Sequence, residues 1–179
     1  MKKIIFPLFA FLLVANITRA QSGPSAEEVL KEASTLAGKE NKKVFIMFTA
    51  SWCGWCKRMD KAMNDEDCRK YFDENFVIRH IVVDESGDNK KLETPGGDAF
   101  RKQYGGEGQG IPYWLIFDKD GKLLDDSRRT ELATGNEINV GCPAEEAEVG
   151  YFIDVLKRTT NLREDPLEKI RKRFLKNKN

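Results

Sequence analysis

The sequence has a single histidine, only four cysteines and no excess of charge of either sign. Its 30 basic and 29 acidic side chains give a formal net charge of +1 at pH 7. A chain with this balance lacks the basic surface that bulk nucleic-acid binding requires, so nucleic acid is not an expected partner. The four cysteines are also too few and too unevenly spaced for a small disulfide-rich scaffold.

Long apolar runs are scarce as well. The N-terminal one extends from Ile4 to Val14 and is shorter than the roughly 20 residues that a membrane-spanning helix needs. Lys2 and Lys3 precede this run and the small residue Ala20 follows it, an order typical of a secretory signal peptide. We therefore expect cleavage near Ala20, export to the periplasm or the medium, and no stable membrane insertion.

The rest of the chain alternates between helical and strand patterns. Helices are predicted over 25–37, 51–63, 65–72, 92–104, 143–156 and 165–174, and strands over 44–48, 76–85, 113–117 and 123–124. This order predicts an α/β fold, with a central mixed β-sheet flanked by helices on both faces and a C-terminal helical extension. We expect a signal peptide over 1–20, one domain over 21–158 and a basic helical extension over 159–179.

Two of the cysteines, Cys53 and Cys56, are separated by two residues and follow a predicted buried strand. At the start of a helix, the unpaired backbone amides and the helix dipole favour a thiolate over a thiol. Cys53 is therefore the expected nucleophile, and Cys56, one turn further on, is expected to resolve the mixed disulfide. Such a pair exchanges between dithiol and disulfide, and we expect no cofactor.

The same spacing also suits half of a tetrahedral zinc site. The other candidate ligands are Cys68, Cys142 and His80, which do not form a matching second pair. We therefore expect no metal site. An inert structural disulfide between Cys53 and Cys56 is a further, weaker alternative to the redox interpretation.

The segment FTASWCGWCK, followed further along by GIPYWLIFDKDGK, resembles the thioredoxin superfamily over roughly residues 25–158. Exported single-domain thioredoxin-like proteins of bacteria carry a similar Trp-Cys-Gly-Trp-Cys-Lys motif. The resemblance implies a thioredoxin fold and a cis bond between Ile111 and Pro112 that faces Cys53. It also implies that the backbone of Ile111 pairs with extended substrate and that Trp52 shields one side of the thiolate. Without the resemblance, Pro112 could equally be a proline at the entry to a strand, and Trp52 a core aromatic.

Three positions depart from the thioredoxin pattern. Trp55 replaces the proline between the cysteines, so the resemblance leaves the reduction potential open. Met47 replaces a buried aspartate that helps to deprotonate the second cysteine, and a methionine cannot accept a proton. His80 aligns with the lysine that partners this aspartate. We hypothesise that His80 handles the proton; the alternative is a satisfied core histidine.

The remaining cysteines are not expected to pair. In the inferred fold, Cys68 follows the far end of the redox helix and Cys142 precedes a helix that starts near the redox pair, whereas a disulfide needs Cα atoms within about 7 Å. We expect Cys142 near the redox pair and Cys68 as a buried small hydrophobe.

Together these features predict a thiol–disulfide oxidoreductase that acts on disulfides of exported proteins and takes electrons from a soluble or membrane-bound dithiol donor. Ile111 before Pro112 is the thioredoxin-like choice and favours reduction. A disulfide oxidase or isomerase is one alternative. A non-catalytic protein that binds a metal or a client through the pair is another.

Overall fold

A computed structural model describes residues 23–178, so the predicted signal peptide lies outside the described residues. Within this range the α-helices are Ala26–Glu40 (α1), Gly54–Met63 (α2), Arg69–Asn75 (α3), Gly97–Gln103 (α4), Glu146–Thr159 (α5) and Glu164–Leu175 (α6). The strands are Lys43–Thr49 (β1), Phe76–Val82 (β2), Tyr113–Phe117 (β3), Leu123–Asp126 (β4), Arg128–Thr130 (β5) and Glu137–Asn139 (β6). Short 3₁₀-helices occupy Gly87–Leu92 and Lys176–Lys178.

The main sheet has the strand order β2-β1-β3-β4. Strand β1 pairs in parallel with β2 and antiparallel with β3, and β3 pairs antiparallel with β4. The apolar run from Val44 to Phe48 is buried throughout, because β1 is central and covered on both faces. The predicted α/β fold with a central mixed sheet is therefore confirmed.

The main sheet divides the buried core into two layers. The layer on the side of α2 contains Met47, Phe72 and Phe152, and the layer on the side of α1 contains Phe48 and Phe100. Helices therefore cover both faces of the sheet, as predicted. Helix α4 contributes to the layer on the side of α1, whereas α5 and α6 contribute to the same layer as α2.

Helix α6 packs on the domain through its apolar face. Leu167, Ile170 and Phe174 are buried in the core layer on the side of α2. Arg173 adds a hydrogen-bonded ion pair, with Nε 2.6 Å from Oδ2 of Asp65. Within residues 23–178, no helix is long and apolar enough to cross a bilayer.

Two element predictions were wrong in detail. Residues 92–104 do not form one helix, because Pro95 and Gly96 interrupt it and α4 begins only at Gly97. Gly96 has φ 74°, a conformation that favours glycine and ends a helical run. The predicted polar loop before Pro143 contains the hairpin β5–β6, whose three-residue strands are too short to give an alternating pattern.

Candidate active site

The first cysteine of the pair lies at the N-terminus of α2. Cys53 is the N-cap of this helix, and its Sγ accepts a hydrogen bond from the backbone N–H of Cys56 at 3.1 Å. The backbone N–H of Cys53 in turn donates to the carbonyl oxygen of Ala50 at 3.0 Å, which closes the turn after β1. A sulfur in this position receives both a direct amide contact and the positive end of the helix dipole.

Cys53 and Cys56 form a disulfide, with an S–S distance of 1.97 Å and a Cα–Cα distance of 5.3 Å. Cys53 is 3% exposed and Cys56 is fully buried. Of the two cysteines, only Cys53 therefore reaches the protein surface. Because the ring joins residues one helical turn apart, it can open and close while the fold stays intact.

A second element approaches the disulfide from across the site. The Ile111–Pro112 peptide bond directly before β3 is cis. The carbonyl oxygen of Ile111 lies 3.7 Å from Sγ of Cys53. In the disulfide state this sulfur carries no hydrogen, so the approach is a contact rather than a hydrogen bond. The site thus brings together the redox helix and the loop before β3.

Two exposed tryptophans flank the disulfide. Trp52 is 60% exposed and Trp55 is 48% exposed. The indole N–H of Trp52 donates to the carbonyl oxygen of Asp84 at 2.8 Å, which fixes the ring. The guanidinium of Arg58 lies over the ring of Trp55, 4.7 Å from its centroid. The disulfide is therefore framed by aromatic surface that is open to a partner.

Sequence reasoning missed a buried carboxylate beside the pair. Glu85 is 5% exposed and accepts hydrogen bonds from both the backbone N–H of Ser51, at 2.5 Å, and the Ser51 hydroxyl, at 2.8 Å. It thereby anchors the turn that leads into Cys53. Because β1 and β2 are parallel, their carboxyl ends meet at one edge of the sheet, and this signal could have placed Glu85 near the cysteines.

The proposed proton-handling residue is paired with an acid from the redox helix. Met47 and His80 are neighbours in register across β1 and β2, and Met47 is fully buried. Nε2 of His80 lies 2.9 Å from Oδ1 of Asp60, and both side chains are partly exposed. His80 is therefore not a core histidine. Asp60 was missed, although its place four residues after Cys56 on α2 puts it on the same helix face.

The two remaining cysteines are free and buried. Burial raises the pKa of Cys68 to about 11 and the pKa of Cys142 to about 12. Sγ of Cys142 accepts a hydrogen bond from Nδ2 of Asn177 at 3.4 Å. Both thiols are therefore held in their neutral form near pH 7.

A groove of about 1160 Å³ extends from the redox pair across the protein surface. Trp55 and the Ile111–Pro112 bond line it at the redox end, and strand β6 and the start of α5 line it further away. Cys142 also lines this groove, which places its buried thiol on the same side of the molecule as the redox pair. Within residues 23–178, no three or more His, Cys, Asp or Glu side chains are grouped to hold a metal ion.

A sequence model of the thioredoxin-like domain matches residues 30–128, more than half of the chain. The chain belongs to the thioredoxin-like family. This thioredoxin-like protein has no significant match among curated proteins.

Solved structures similar to this thioredoxin-like protein include three from microorganisms. A disulphide isomerase from Xylella fastidiosa is 21% identical, with a TM-score of 0.46, over 64% of this chain and 79% of the other. The C-terminal domain of DsbD from Neisseria meningitidis, in its oxidised form, is 26% identical, with a TM-score of 0.41, over 57% and 83%. An N21Q mutant thioredoxin from Halobacterium salinarum is 17% identical, with a TM-score of 0.44, over 78% and 90%.

Proposed function

We propose that this protein is a thiol–disulfide oxidoreductase that reduces disulfides of exported proteins. The observation that carries the proposal is the placement of Cys53. Its Sγ lies at the tip of α2, 3.1 Å from the backbone nitrogen of Cys56 and 3.7 Å from the carbonyl oxygen of Ile111. The first contact stabilises a thiolate, and the second marks where substrate backbone would lie.

The reduced pair would reduce a substrate disulfide in two thiol–disulfide exchange steps. The Cys53 thiolate attacks one sulfur of the substrate disulfide, forms a mixed disulfide and releases the first substrate thiolate. The Cys56 thiolate then attacks Sγ of Cys53, forms the Cys53–Cys56 disulfide and releases the second substrate thiolate. Two electrons pass to the substrate, and the two released thiolates take up protons from solvent at neutral pH. A dithiol donor, soluble or membrane-bound, then reduces Cys53–Cys56 by the same exchange in reverse.

Cys56 must lose a proton before the second step, and Met47 cannot accept it. We assign this role to His80, which the carboxylate of Asp60 orients at 2.9 Å. The His80→Gln variant is expected to change the pH profile of disulfide reduction, whereas Asp73→Asn, on the exposed surface of α3, is the matched control. An unchanged profile in His80→Gln would refute the assignment.

Substrate contact is assigned to Trp52, Ile111 and Pro112. The exposed ring of Trp52 supplies apolar surface beside the disulfide. The backbone of Ile111, next to the cis bond, offers hydrogen-bonding groups to an extended segment.

The reducing direction is supported by Ile111 before the cis-proline, and the reduction potential tests it. A potential near about −270 mV, measured against glutathione or a dithiol buffer, fits a reductase, whereas one near about −120 mV fits an oxidase. The latter value would replace the reductase proposal by the oxidase alternative.

Catalysis is tested by reduction of insulin with dithiothreitol, with and without the protein. We expect acceleration by the wild type and none by Cys53→Ser. Absence of acceleration by the wild type would favour the alternative in which the pair holds a metal or a client. Mixed disulfides trapped on Cys56→Ser would identify the substrates, because only Cys56 resolves them.

Export and the division into signal peptide, domain and extension rest on the sequence. The mass of the mature N-terminus tests them, with cleavage expected near Ala20. A chain that keeps residues 1–20 in its native host would overturn the proposed location.

A further inference from the structure

We infer that the hairpin β5–β6 forms a second wall of the substrate groove and selects extended polypeptide segments that carry basic side chains. The inference rests on the proposed function, because it assigns the groove to the substrate of the Cys53–Cys56 pair. It goes further by naming the part of the chain that recognises the substrate and the charge that it prefers.

Most of the hairpin lies beyond the stretch that the family model matches. The match to the thioredoxin-like domain ends at residue 128, and the hairpin turn and strand β6 follow it. Strand β6 and the residues after it nevertheless line the same groove as Trp55 and Pro112. The matched stretch therefore supplies the loop around Pro112 at the redox end of the groove, and the segment after it supplies the far end.

Asn139 connects the hairpin to the cis-proline loop, which is the segment from Gly110 to Pro112. Its Nδ2 donates to the carbonyl oxygens of Gly110, at 2.7 Å, and Pro112, at 3.0 Å. Its Oδ1 accepts from the backbone N–H of Gly141 at 3.0 Å. These two carbonyl groups lie on either side of Ile111. The Asn139 side chain therefore sets the position of the hairpin relative to the Ile111 backbone, which contacts the substrate in the proposed function. Asn139 is thus a positioning residue.

Strand β6 leaves one edge without a partner strand, because the sheet that it forms with β5 has two strands. On that edge the backbone N–H of Asn139 donates to Oε1 of Gln109 at 3.2 Å, so a substrate segment would use the remaining backbone groups. An extended polypeptide can add to such an edge through main-chain hydrogen bonds. The groove volume of about 1160 Å³ accommodates several residues of such a segment, rather than a single side chain.

The charged residues that line the groove favour a basic occupant. They are three carboxylates and one ammonium group: Glu137, Glu145, Glu148 and Lys178. Lys178 pairs with Glu145 at 2.8 Å, and Glu148 accepts from two backbone amides at the start of α5. Glu137 is exposed and accepts from the hydroxyl of Thr130. The nearby guanidinium of Arg128 attracts its carboxylate but pairs with Asp126, so Glu137 has no ion-pair partner among residues 23–178. A lysine or arginine of the substrate would supply that partner.

The test uses short peptides whose single cysteine is held in a mixed disulfide with nitrothiobenzoate. The peptides are identical except that the positions flanking cysteine are lysine, glutamate or serine. Single-turnover rates of the reduced wild-type protein are compared at low and high salt. We expect the lysine peptide to react about fivefold to tenfold faster than the glutamate peptide at low salt, with the difference shrinking at high salt.

Two charge reversals on the same hairpin locate the effect. Glu137→Lys is expected to abolish or invert the preference for the lysine peptide. Glu131→Lys makes the same change of charge on a residue outside the groove and should leave the preference intact. Equal rates for the lysine and glutamate peptides on the wild type, or equal effects of the two variants, would overturn the inference.

A small disulfide, dithiobis(nitrobenzoate), separates this inference from the proposed function. It reacts at Cys53, so its rate should be the same in the wild type and in Glu131→Lys, whose changed residue lies outside the groove. If the wild type reacts with neither the small disulfide nor any peptide, the proposed function itself fails. Normal reaction with the small disulfide and no discrimination among peptides would refute the hairpin's role alone.

Discussion

The four cysteines are buried to nearly the same extent, yet they differ in the chemistry that surrounds them. Cys53 is 3% exposed and Cys142 is 6% exposed, and both line the same side of the molecule. Cys53 lies at a helix N-terminus and accepts a backbone amide, whereas burial raises the pKa of the Cys142 thiol to about 12. We therefore expect the reactivity of the cysteines to follow position on a helix rather than exposure.

Removal of single sulfurs is expected to give the largest contrast. Cys53→Ser should lower the rate of disulfide reduction at least about 1000-fold, because the nucleophile is lost. Cys142→Ser should lower it less than about twofold, since the Cys142 thiol remains neutral near pH 7. The insulin assay measures both. A large loss in Cys142→Ser, in a variant with unchanged circular dichroism, would break the comparison.

Alkylation of the reduced protein measures the same contrast directly. At pH 7 we expect iodoacetamide to modify Cys53 at least about 100-fold faster than Cys142 or Cys68. The reactivity of Cys142 should rise about tenfold with each pH unit above 7, because burial raises the pKa of its thiol to about 12 and only the thiolate reacts. Peptide mapping by mass spectrometry gives the rates, and the unfolded protein is the control. Similar rates for all thiols of the folded protein would contradict the expectation.

Much of the fold and the redox pair could be predicted from local sequence signals. The run Val44–Phe48 and the spacing of Cys53 and Cys56 each depend on a few adjacent residues, and both predictions agree with the structure. Contacts between distant segments could not be predicted in this way. Parallel pairing of β1 and β2 could have placed Glu85 near the cysteines, but no local pattern predicts its hydrogen bonds to Ser51.

The hairpin is the clearest miss, for a related reason. Its strands are three residues long and mostly polar, so neither periodicity nor apolar content distinguishes them from a loop. Their position is fixed by Asn139, whose partners at Gly110 and Pro112 are remote in sequence. Residues that recognise a partner were therefore harder to predict than those that carry the chemistry.

Loosening the hairpin should affect recognition while leaving the sulfur chemistry intact. Asn139→Ala removes two donors to the cis-proline loop, and we expect the rate with peptide mixed disulfides to fall about tenfold. Its rate with dithiobis(nitrobenzoate) should remain within about twofold of the wild type. Leu132→Ala, at the fully exposed turn of the same hairpin and outside the groove, is the control. Equal losses with both kinds of substrate would assign Asn139 a purely structural role.

The ion pair near Cys68 should contribute to stability with a defined pH dependence. The hydrogen bond from Arg173 lowers the pKa of Asp65 below its usual value, so the folded state favours the carboxylate. This contribution is complete above the unfolded pKa of about 3.9 and is lost as pH falls through the lower folded pKa. We expect Asp65→Asn to reduce the free energy of unfolding by about 1 kcal/mol at pH 7.

Urea unfolding of Asp65→Asn and the wild type at pH 7 and at strongly acidic pH checks this prediction. The difference between the two proteins should disappear at the acidic pH. Asp67→Asn, on an exposed neighbouring residue, is the control and should change little. A difference that persists in acid would assign the effect to packing rather than charge.

The smallest expected effect concerns the amide that covers Cys142. Asn177→Ala removes the donor to Sγ and one contact to the Pro143 carbonyl. We expect alkylation of Cys142 to accelerate about threefold to fivefold, with the rate at Cys53 unchanged. An equal acceleration at both sulfurs would indicate general loosening of the groove.

The end of the described chain has a practical consequence for experiments on this protein. Lys178 lines the groove, and the carbonyl oxygen of Asn177 accepts from Arg58, which covers Trp55. Any polypeptide fused beyond these residues, such as an affinity tag or a reporter, would begin at the mouth of the groove. Such a fusion would therefore occupy the place that we propose for the substrate, so purification handles are better attached before α1.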